Sequence, residues 1–500
     1  MAKFIRTPGT VAREETPIPE TSGPDAFDRL RQRFVELSTK LRAQAITPLS
    51  FHELEKAMKA ALDETGRTLL QEELNRLEPA DKATAAPKVR YHKATYRINK
   101  RTPAAIATSF GPITLWSFLY LHEEDGEPGL HPLLVRLGIV VGATPVLAER
   151  VGRWAIDHSQ REVRQLLLCE HGLKWSNDHL RRVLREFRQQ IVAFRAEAQI
   201  ERLLGWLDQA DRSRGRHRPV LAVGRDGVMV PIRRGGYQEA SAGTVSVYDR
   251  RRKRLGTVYL GRMPETKQTT MTEELTALVT AVLAQWTRPV PRLVYVTDKG
   301  QAQDEYYRRT LKKMRHPQHP QQRLTWEWVL DFFHVCGYVS KLSDALFGKA
   351  SKQASAWFKN MRHWLRERQQ GITHVLRSAS QHYHRRKLSK AEEADFWKAY
   401  HYLRDHSCWM AYARYRHQGL PIGSGVTEAA CKTVFTQRLK RSGMRWHKEC
   451  GQVIVDLRVL YLSGIWDDVV RRDLQARPLP QTIERTSCQP PTPHKLNKAA

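Results

Sequence analysis

Residues 217–232 read HRPVLAVGRDGVMVPI, and this stretch decides the fold of the central chain. Apolar residues run through Val220–Val223, pause at Gly224-Arg225-Asp226-Gly227 and resume at Val228. A short apolar run opened by Arg-Pro is a strand pattern, not a helical one. Working outward, GTVSVYDRR (243–251) and RLGTVYLGR (254–262) read as a second and a third strand. MTEELTALVTAVLAQW (271–286) is a helix, RLVYVTDKG (292–300) a buried strand ending in a turn, QAQDEYYRRTLKKM (301–314) a helix and LTWEWVLDFFHV (324–335) a strand.

The resulting order, βββαβαβ, is an antiparallel run followed by alternating elements. It predicts an α+β or mixed α/β architecture, with a mixed sheet covered by helices. The ribonuclease H-like fold shares that order. On either side the patterns change. A flexible arm is expected over 1–24, N-terminal helices and a linker over 25–87, and a small β-rich module over 88–131. Within that module ATYRIN (94–99), AAIATSF (104–110) and ITLWSFLYL (113–121) read as separate strands. A helical region covers 132–215, and the core's first part 216–335. An all-helical insertion is expected over 336–420, the final core helices over 421–470, and a disordered tail over 471–500.

At 500 residues the chain is too long for one core, and about three domains are expected. Lys and Arg number 83 against 52 Asp and Glu, a formal charge of +31. That excess points to a polyanionic partner, most often nucleic acid; a ribosome-associated protein and a soluble basic enzyme are the plainer readings. The six cysteines form no CxxC, so no zinc site or disulfide framework is expected. The N-terminus has no apolar leader and no run approaches the ~20 residues that cross a bilayer. A cytoplasmic, nucleoid-associated protein with no membrane partner is expected.

Three acids stand apart from the rest. Asp226 lies within or at the end of the first strand, Asp298 at the carboxyl end of the fourth, and Glu428 opens the helix EAACKTVF after Gly423-Ser424-Gly425. With the first and fourth strands adjacent, these acids converge. Clustered carboxylates need a counter-charge, which a pair of Mg²⁺ or Mn²⁺ ions supplies in phosphoryl transfer. Taken singly each acid has a plainer reading: Asp before Gly forms turns, and Glu at a helix start suits the dipole. Asp331 and His334 end the fifth strand and are accessory candidates beside a structural contact at the domain edge.

A second pattern lies upstream. SQREVRQLLLCE (159–170), the turn His171-Gly172-Leu173 and a helix capped by Ser176 have helix-turn-helix spacing. Asn177, His179, Arg181 and Arg182 begin its second helix and are candidate DNA contacts; an ordinary αα-hairpin is the alternative. Between Cys336 and Leu420 there are sixteen Lys or Arg and six Asp or Glu, with interleaved aromatics. These suit either DNA ends or the core of a helix bundle. The run Lys432, Arg438, Lys440, Arg441, Arg445 and Trp446 is a further candidate DNA contact or a solvated face. Lys299, beside Asp298, is a candidate contact to the scissile phosphate.

The motifs GRDGVMVPIR, VTDKG, LDFFHV and GLPIGSGVTEAACKTVFTQRLKRSGMRW together resemble those of DDE-type bacterial insertion-sequence transposases. The closest resemblance is to the ISKra-like group, with kinship to mutator-like elements, over roughly residues 90–470. The resemblance implies a ribonuclease H-like core with a helical insertion, cleavage at transposon ends and joining of the 3′-hydroxyl to target DNA. It implies Asp226, Asp298 and Glu428 as the metal-binding triad and matches Asp331-x-x-His334 to an acid–His motif. Synapsis of two ends implies a homo-oligomer. One departure is visible: LYLHEEDGEPGLHPL (119–133) carries no cysteine where such proteins often have a pair. A structure-specific nuclease on the same fold, and a non-catalytic domesticated DNA-binding protein, are the alternatives.

Overall fold

The structure, a computed structural model, describes residues 26–43, 46–124 and 126–483. The chain divides into two units, Met1–Phe187 with Leu474–Ala500, and Arg188–Asp473. The arm expected over 1–24, and residues 484–500 of the expected tail, lie outside the described residues.

In the first unit α1 (Ala26–Ala43) and α2 (Pro48–Arg76) follow the helical spacing of their apolar residues. Thr47 caps α2, its hydroxyl accepting from the Ser50 N–H (3.1 Å). Then β1 (Lys88–Tyr91), β2 (Ala94–Thr108) and β3 (Gly111–His122) form an antiparallel sheet. ATYRIN and AAIATSF, expected as two strands, are one. A bulge between Ile98 and Lys100 absorbs the break in alternation, and pairing continues through Pro103 opposite Trp116.

Helix α2 closes the free edge of β3. Gln71 Oε1 accepts from the Thr114 N–H (2.8 Å) and Asn75 Oδ1 from the Trp116 N–H (2.8 Å), while Asn75 Nδ2 donates to the Thr114 carbonyl (3.1 Å). Two amides one helical turn apart thus occupy backbone groups that an edge strand leaves open. There follow α3 (Pro132–Arg136), α4 (Pro145–Asp157), α5 (Gln160–His171) and α6 (Asn177–Val192), the last of which enters the second unit at Arg188. The helical region expected over 132–215 is therefore divided between the two units.

The second unit opens with α7 (Arg195–Arg212) and the strands β4 (Val220–Ile232), β5 (Gly236–Tyr248) and β6 (Arg254–Arg262). Then come α8 (Thr269–Gln285), β7 (Arg292–Thr297), α9 (Gln301–Arg309), a hairpin of β8 (Arg315–His316) and β9 (His319–Arg323), and β10 (Trp326–Leu330). The five-stranded sheet has the order β10-β7-β4-β5-β6, with β10, β7 and β4 parallel and β4, β5 and β6 antiparallel. Successive side chains alternate between two cores. Leu221, Val223, Leu293 and Tyr295 pack with α7 and α8, whereas Val220, Ala222, Val294 and Val296 face the helices that follow β10.

Those helices are α10 (Phe332–Phe347), α11 (Lys352–Glu367), α12 (Gly371–His384), α13 (Lys390–Asp405) and α14 (Tyr412–His417). Their Val335, Val339, Trp357 and Phe396 share one core with the sheet, so most of the interleaved apolar residues pack inward. The helical run starts at Phe332, not at 336, and the fifth strand stops at Leu330. The reason is local: Asp331 caps α10, its Oδ1 accepting from the His334 N–H (2.6 Å). The chain ends with α15 (Gly425–Ala430), a π-helical turn (Cys431–Thr436), α16 (Gln437–Leu439), α17 (Lys448–Leu462) and α18 (Trp466–Ala476). The segment from 471, expected to be disordered, instead finishes α18 and adds β11 (Gln481–Ile483), antiparallel to β1.

A buried ionic network ties the second unit's ends together. Asp456 of α17 is fully buried and accepts from Arg188 Nε (2.7 Å), Arg195 Nη1 (3.3 Å) and Gln452 Nε2 (2.9 Å). Arg195 and Arg262 also pair with Glu274 of α8. Removing one partner strands buried charge, which costs about 3–5 kcal/mol. Asp456→Ala is expected to lower unfolding stability by that amount in chemical denaturation, with Arg188 left uncompensated and Arg195 held by Glu274 alone.

Candidate active site and nucleic-acid contacts

Strands β4 and β7 pair in parallel from Val220–Arg292 to Gly224–Val296 and then part. Asp226 stands on β4 two residues beyond the last pair, and Asp298 directly follows β7. The sheet therefore brings two carboxylates, 72 residues apart in sequence, to one place. Asp226 lies in the middle of its long strand because β4 runs on as a hairpin with β5. Its Oδ1 accepts from the Gly227 N–H (2.8 Å). Burial, the Asp298 charge and, more weakly, the Glu428 charge push its carboxyl up to about 6. Asp298 accepts from the Gly300 N–H (3.3 Å), and its carbonyl from the Tyr402 hydroxyl (3.2 Å).

Glu428 arrives on α15, which begins at Gly425, so this acid lies in the first turn without opening the helix. Close approach of α15 to the sheet depends on Gly224. A Cβ there would stand 2.0 Å from Thr427 Oγ1 and 2.7 Å from Thr244 Oγ1. With no side chain in the way, the Thr244 and Thr427 hydroxyls share a hydrogen bond (2.8 Å). One turn after Glu428, the buried Cys431 thiol donates to Asp226 Oδ2 (3.4 Å). Sequence reasoning passed over Cys431, although its i+3 spacing from Glu428 was a signal of a shared helical face.

Among the described residues, no group of three or more His, Cys, Asp or Glu side chains stands close enough to hold a metal ion. Asp226 thus feels the charges of Asp298 and Glu428, and the three acids form no closed ligand set. The donor chemistry, carboxylate oxygens with one carboxyl raised by burial and neighbouring negative charge, fits a hard divalent cation that would offset that charge.

Asp331 has a different place from the strand-end acid expected. It is fully buried, and besides capping α10 its Oδ2 accepts from the Ser424 N–H. The Asp331 N–H donates to the Thr297 carbonyl (2.8 Å), and that of Phe332 to the Ile422 carbonyl (2.9 Å). Asp331 thus positions the loop that leads to Glu428. His334 is half-buried with its ring against Tyr338 and Tyr402. Lys299 is engaged within the protein. Its ammonium sits 3.6 Å from the centre of the Trp409 ring and 3.7 Å from Asp304, with the side chain only 9 % exposed.

The two helices of the expected pair, α5 and α6, form, with a turn between them. Ser159 caps α5 in a capping box, Gly172 ends it at φ 65°, and the Ser176 hydroxyl accepts from the His179 N–H (3.1 Å). Asn177, Arg181 and Arg182 are exposed, with Arg181 paired to Asp178 (3.0 Å) and Asn177 accepting from Arg164 (3.3 Å). His179 is half-buried, edge-on to Trp175, and burial lowers its basicity. Arg185, one turn on, adds an exposed base that the sequence reading passed over. In the last basic run Lys432, Lys440, Arg441 and Arg445 are exposed. Arg438 is a correction, and Trp446 packs against it. Arg438 is 2 % exposed with its guanidinium over the Trp446 ring, whose Nε1 donates to the Leu439 carbonyl (2.9 Å). Both hold the turn together; Arg438 is buried and Trp446 half-buried.

No described helix is long and apolar enough to cross a membrane. Comparison with known proteins finds no matching family model and no matching curated protein.

Two expectations follow from this geometry. Asp331→Asn puts an NH₂ group against either the Ser424 or the His334 N–H, costing about 1–3 kcal/mol for the stranded donor. Faster amide exchange over Ser424–Glu428 and the first turn of α10 should report it. For Asp226 the sign is set by a folded value of about 6 above an unfolded value near 3.8. Ionisation therefore opposes folding, and stability falls as pH rises between those values. In chelator, Asp226→Asn should stabilise the protein above about pH 6, by about 1–3 kcal/mol. Thermal melts across pH should show that gain fading to nothing below about pH 4.

Proposed function

We propose that the second unit is a metal-dependent DNA phosphoryl-transfer enzyme on a ribonuclease H-like sheet. The whole chain then acts as a transposase of the DDE type, cutting the ends of an insertion sequence and joining them to target DNA. One observation carries this reading: the Asp226 carboxyl, buried on β4, is raised in part by the charges of Asp298, which follows the adjoining parallel strand β7, and of Glu428, on the helix laid over Gly224. The strand order β10-β7-β4-β5-β6 supports it, as does the charge of +31.

Asp226, Asp298 and Glu428 would hold Mg²⁺ or Mn²⁺. Bound there, two such ions activate an attacking water or 3′-hydroxyl and stabilise the leaving oxygen. The chain's own residues do the positioning. Asp331 fixes the loop before Glu428, Cys431 donates to Asp226 from the same helix, and Tyr402 holds the backbone at Asp298. The exposed bases Arg181, Arg182 and Arg185 on α6, and Lys432, Lys440, Arg441 and Arg445 after the site, suit the DNA backbone. Joining two ends at once calls for more than one copy of the chain.

A second reading, a DNA-binding protein without catalysis, is favoured by the absence of a closed ligand set among the described residues. The two readings part in one experiment. Purified protein is incubated with its own flanking DNA on a supercoiled plasmid and Mg²⁺ or Mn²⁺. End-specific cleavage and joined products are expected, abolished by Glu428→Gln while DNA affinity stays within about twofold. Equal binding by both proteins with no cleavage by either would establish the second reading.

A further inference from the structure

The end of the five-stranded sheet away from the carboxylates gathers charge that nothing described above uses. It comprises the amino ends of β4 and β7, the segment leading into β4, and the turn between β5 and β6. Arg214, Arg216 and Arg218 lead into β4, and all three are exposed. Arg251, Arg252, Lys253 and Arg254 form the turn and are also exposed. A cleft of about 310 Å³ opens between Arg218, Arg292 of β7 and Arg323 of β9.

The carboxylates of this region are already engaged. Asp208 and Asp211 pair with Arg212, Arg250 and Arg288. Asp249 accepts from the Arg251 and Lys253 N–H groups of its own turn (2.8 Å each). Glu327, on the wall of the cleft, pairs with Arg414. Among the described residues, none of the bases named in the preceding paragraph forms an ion pair.

Two of these bases converge on one neutral acceptor. His217 Nε2 receives Arg252 Nε (3.0 Å) and Arg216 Nε (3.3 Å), and no carboxylate accompanies them. Burial and the surrounding cations, Arg252 and Arg216 foremost, keep the imidazole below its usual basicity. Arg252 also adopts φ +70°, a left-handed conformation that Gly or Asn takes more easily. A long cationic side chain therefore occupies a turn position where a smaller residue fits better. Like charges held this close on a rigid turn are suited to an anion that comes from outside.

We propose that this end of the sheet is a second docking surface for duplex DNA, seating its phosphate backbone about 20 Å, the length of β7, from the carboxylates. The choice of DNA over RNA rests on the function proposed above; the polyanion does not. No exposed large apolar or aromatic side chain lies on the leading segment, the turn or the cleft. The surface therefore offers no stacking platform for unpaired bases and no apolar wedge for a lipid surface. What it offers is a set of guanidiniums on fixed backbone, the chemistry of phosphate contacts.

The test uses the full chain carrying Arg214→Gln, Lys253→Gln and Arg254→Gln, side chains that make no hydrogen bond or ion pair among the described residues. Binding to a random 40-base-pair duplex is followed from 50 to 300 mM salt in chelator, where no cleavage intervenes. Each lost phosphate contact lowers the slope of log affinity against log salt by about 0.9. A slope smaller by about 2–3, a roughly tenfold or greater loss at 0.15 M salt and an unchanged melting temperature would support the surface. An unchanged slope would overturn it, as would a loss confined to single strands or to RNA duplex. Because cleavage plays no part, these outcomes are independent of the Glu428→Gln result. A protein that binds duplex here but never cuts would retain this surface and lose the catalytic reading.

Discussion

The buried carboxylate of Asp331 is the joint on which the second unit's site depends. One oxygen starts α10 and so ends the fifth strand; the other holds Ser424, the last residue before α15. The backbone N–H of the same residue reaches back to Thr297, the last residue of β7. A single residue thus fixes three things together, by its backbone where β7 ends beside Asp298 and by its side chain where the helical layer begins and where Glu428 enters. It needs no contact with substrate to do so. Its place is far from water, where an acceptor with two satisfied oxygens is worth more than on the surface.

Gly224 adds the complementary constraint from the sheet side. Asp331 pulls the loop inward, and the missing Cβ gives α15 somewhere to go. The Thr244–Thr427 hydrogen bond then sets the depth of contact. Directly after α15 the helix widens into a π turn, a feature that recurs at functional sites because it re-aims side chains without breaking the helix. Cys431, at its start, is the residue so aimed at Asp226.

Much of this arrangement was legible in the sequence. The strands β4, β6 and β7 announced themselves through short apolar runs, and the pairing of the first with the fourth followed from their order. The α5–α6 turn was written in Ser159, Gly172 and Ser176, residues whose capping chemistry is local. What escaped was non-local or ambiguous. DFFHV fits strand and helix equally, and only the acid before it, read as a cap, would have separated the two. Lys299 looked available because its partner Trp409 is 110 positions away. Arg438 looked like a surface base because a charge run cannot show that Trp446 folds back beneath it. The β8–β9 hairpin, built on HPQHPQQR, had no periodicity to read. ATYRIN and AAIATSF read as two strands where a bulge between Ile98 and Lys100 permitted one.

The first unit's sheet has a consequence for the order in which the protein is made. Its β3 edge is closed by α2, a neighbour in sequence that is already synthesised when the strand emerges. Its β1 edge is closed by Gln481–Ile483, nearly the last residues described. At ribosomal rates of about 5–20 residues per second, roughly 20–80 seconds pass between translation of the two partners. Through that interval β1 presents an open row of backbone donors and acceptors, available to any extended chain nearby. Over that interval a nascent copy of this protein carries an adhesive border, which among the described residues Gln481–Ile483 cover.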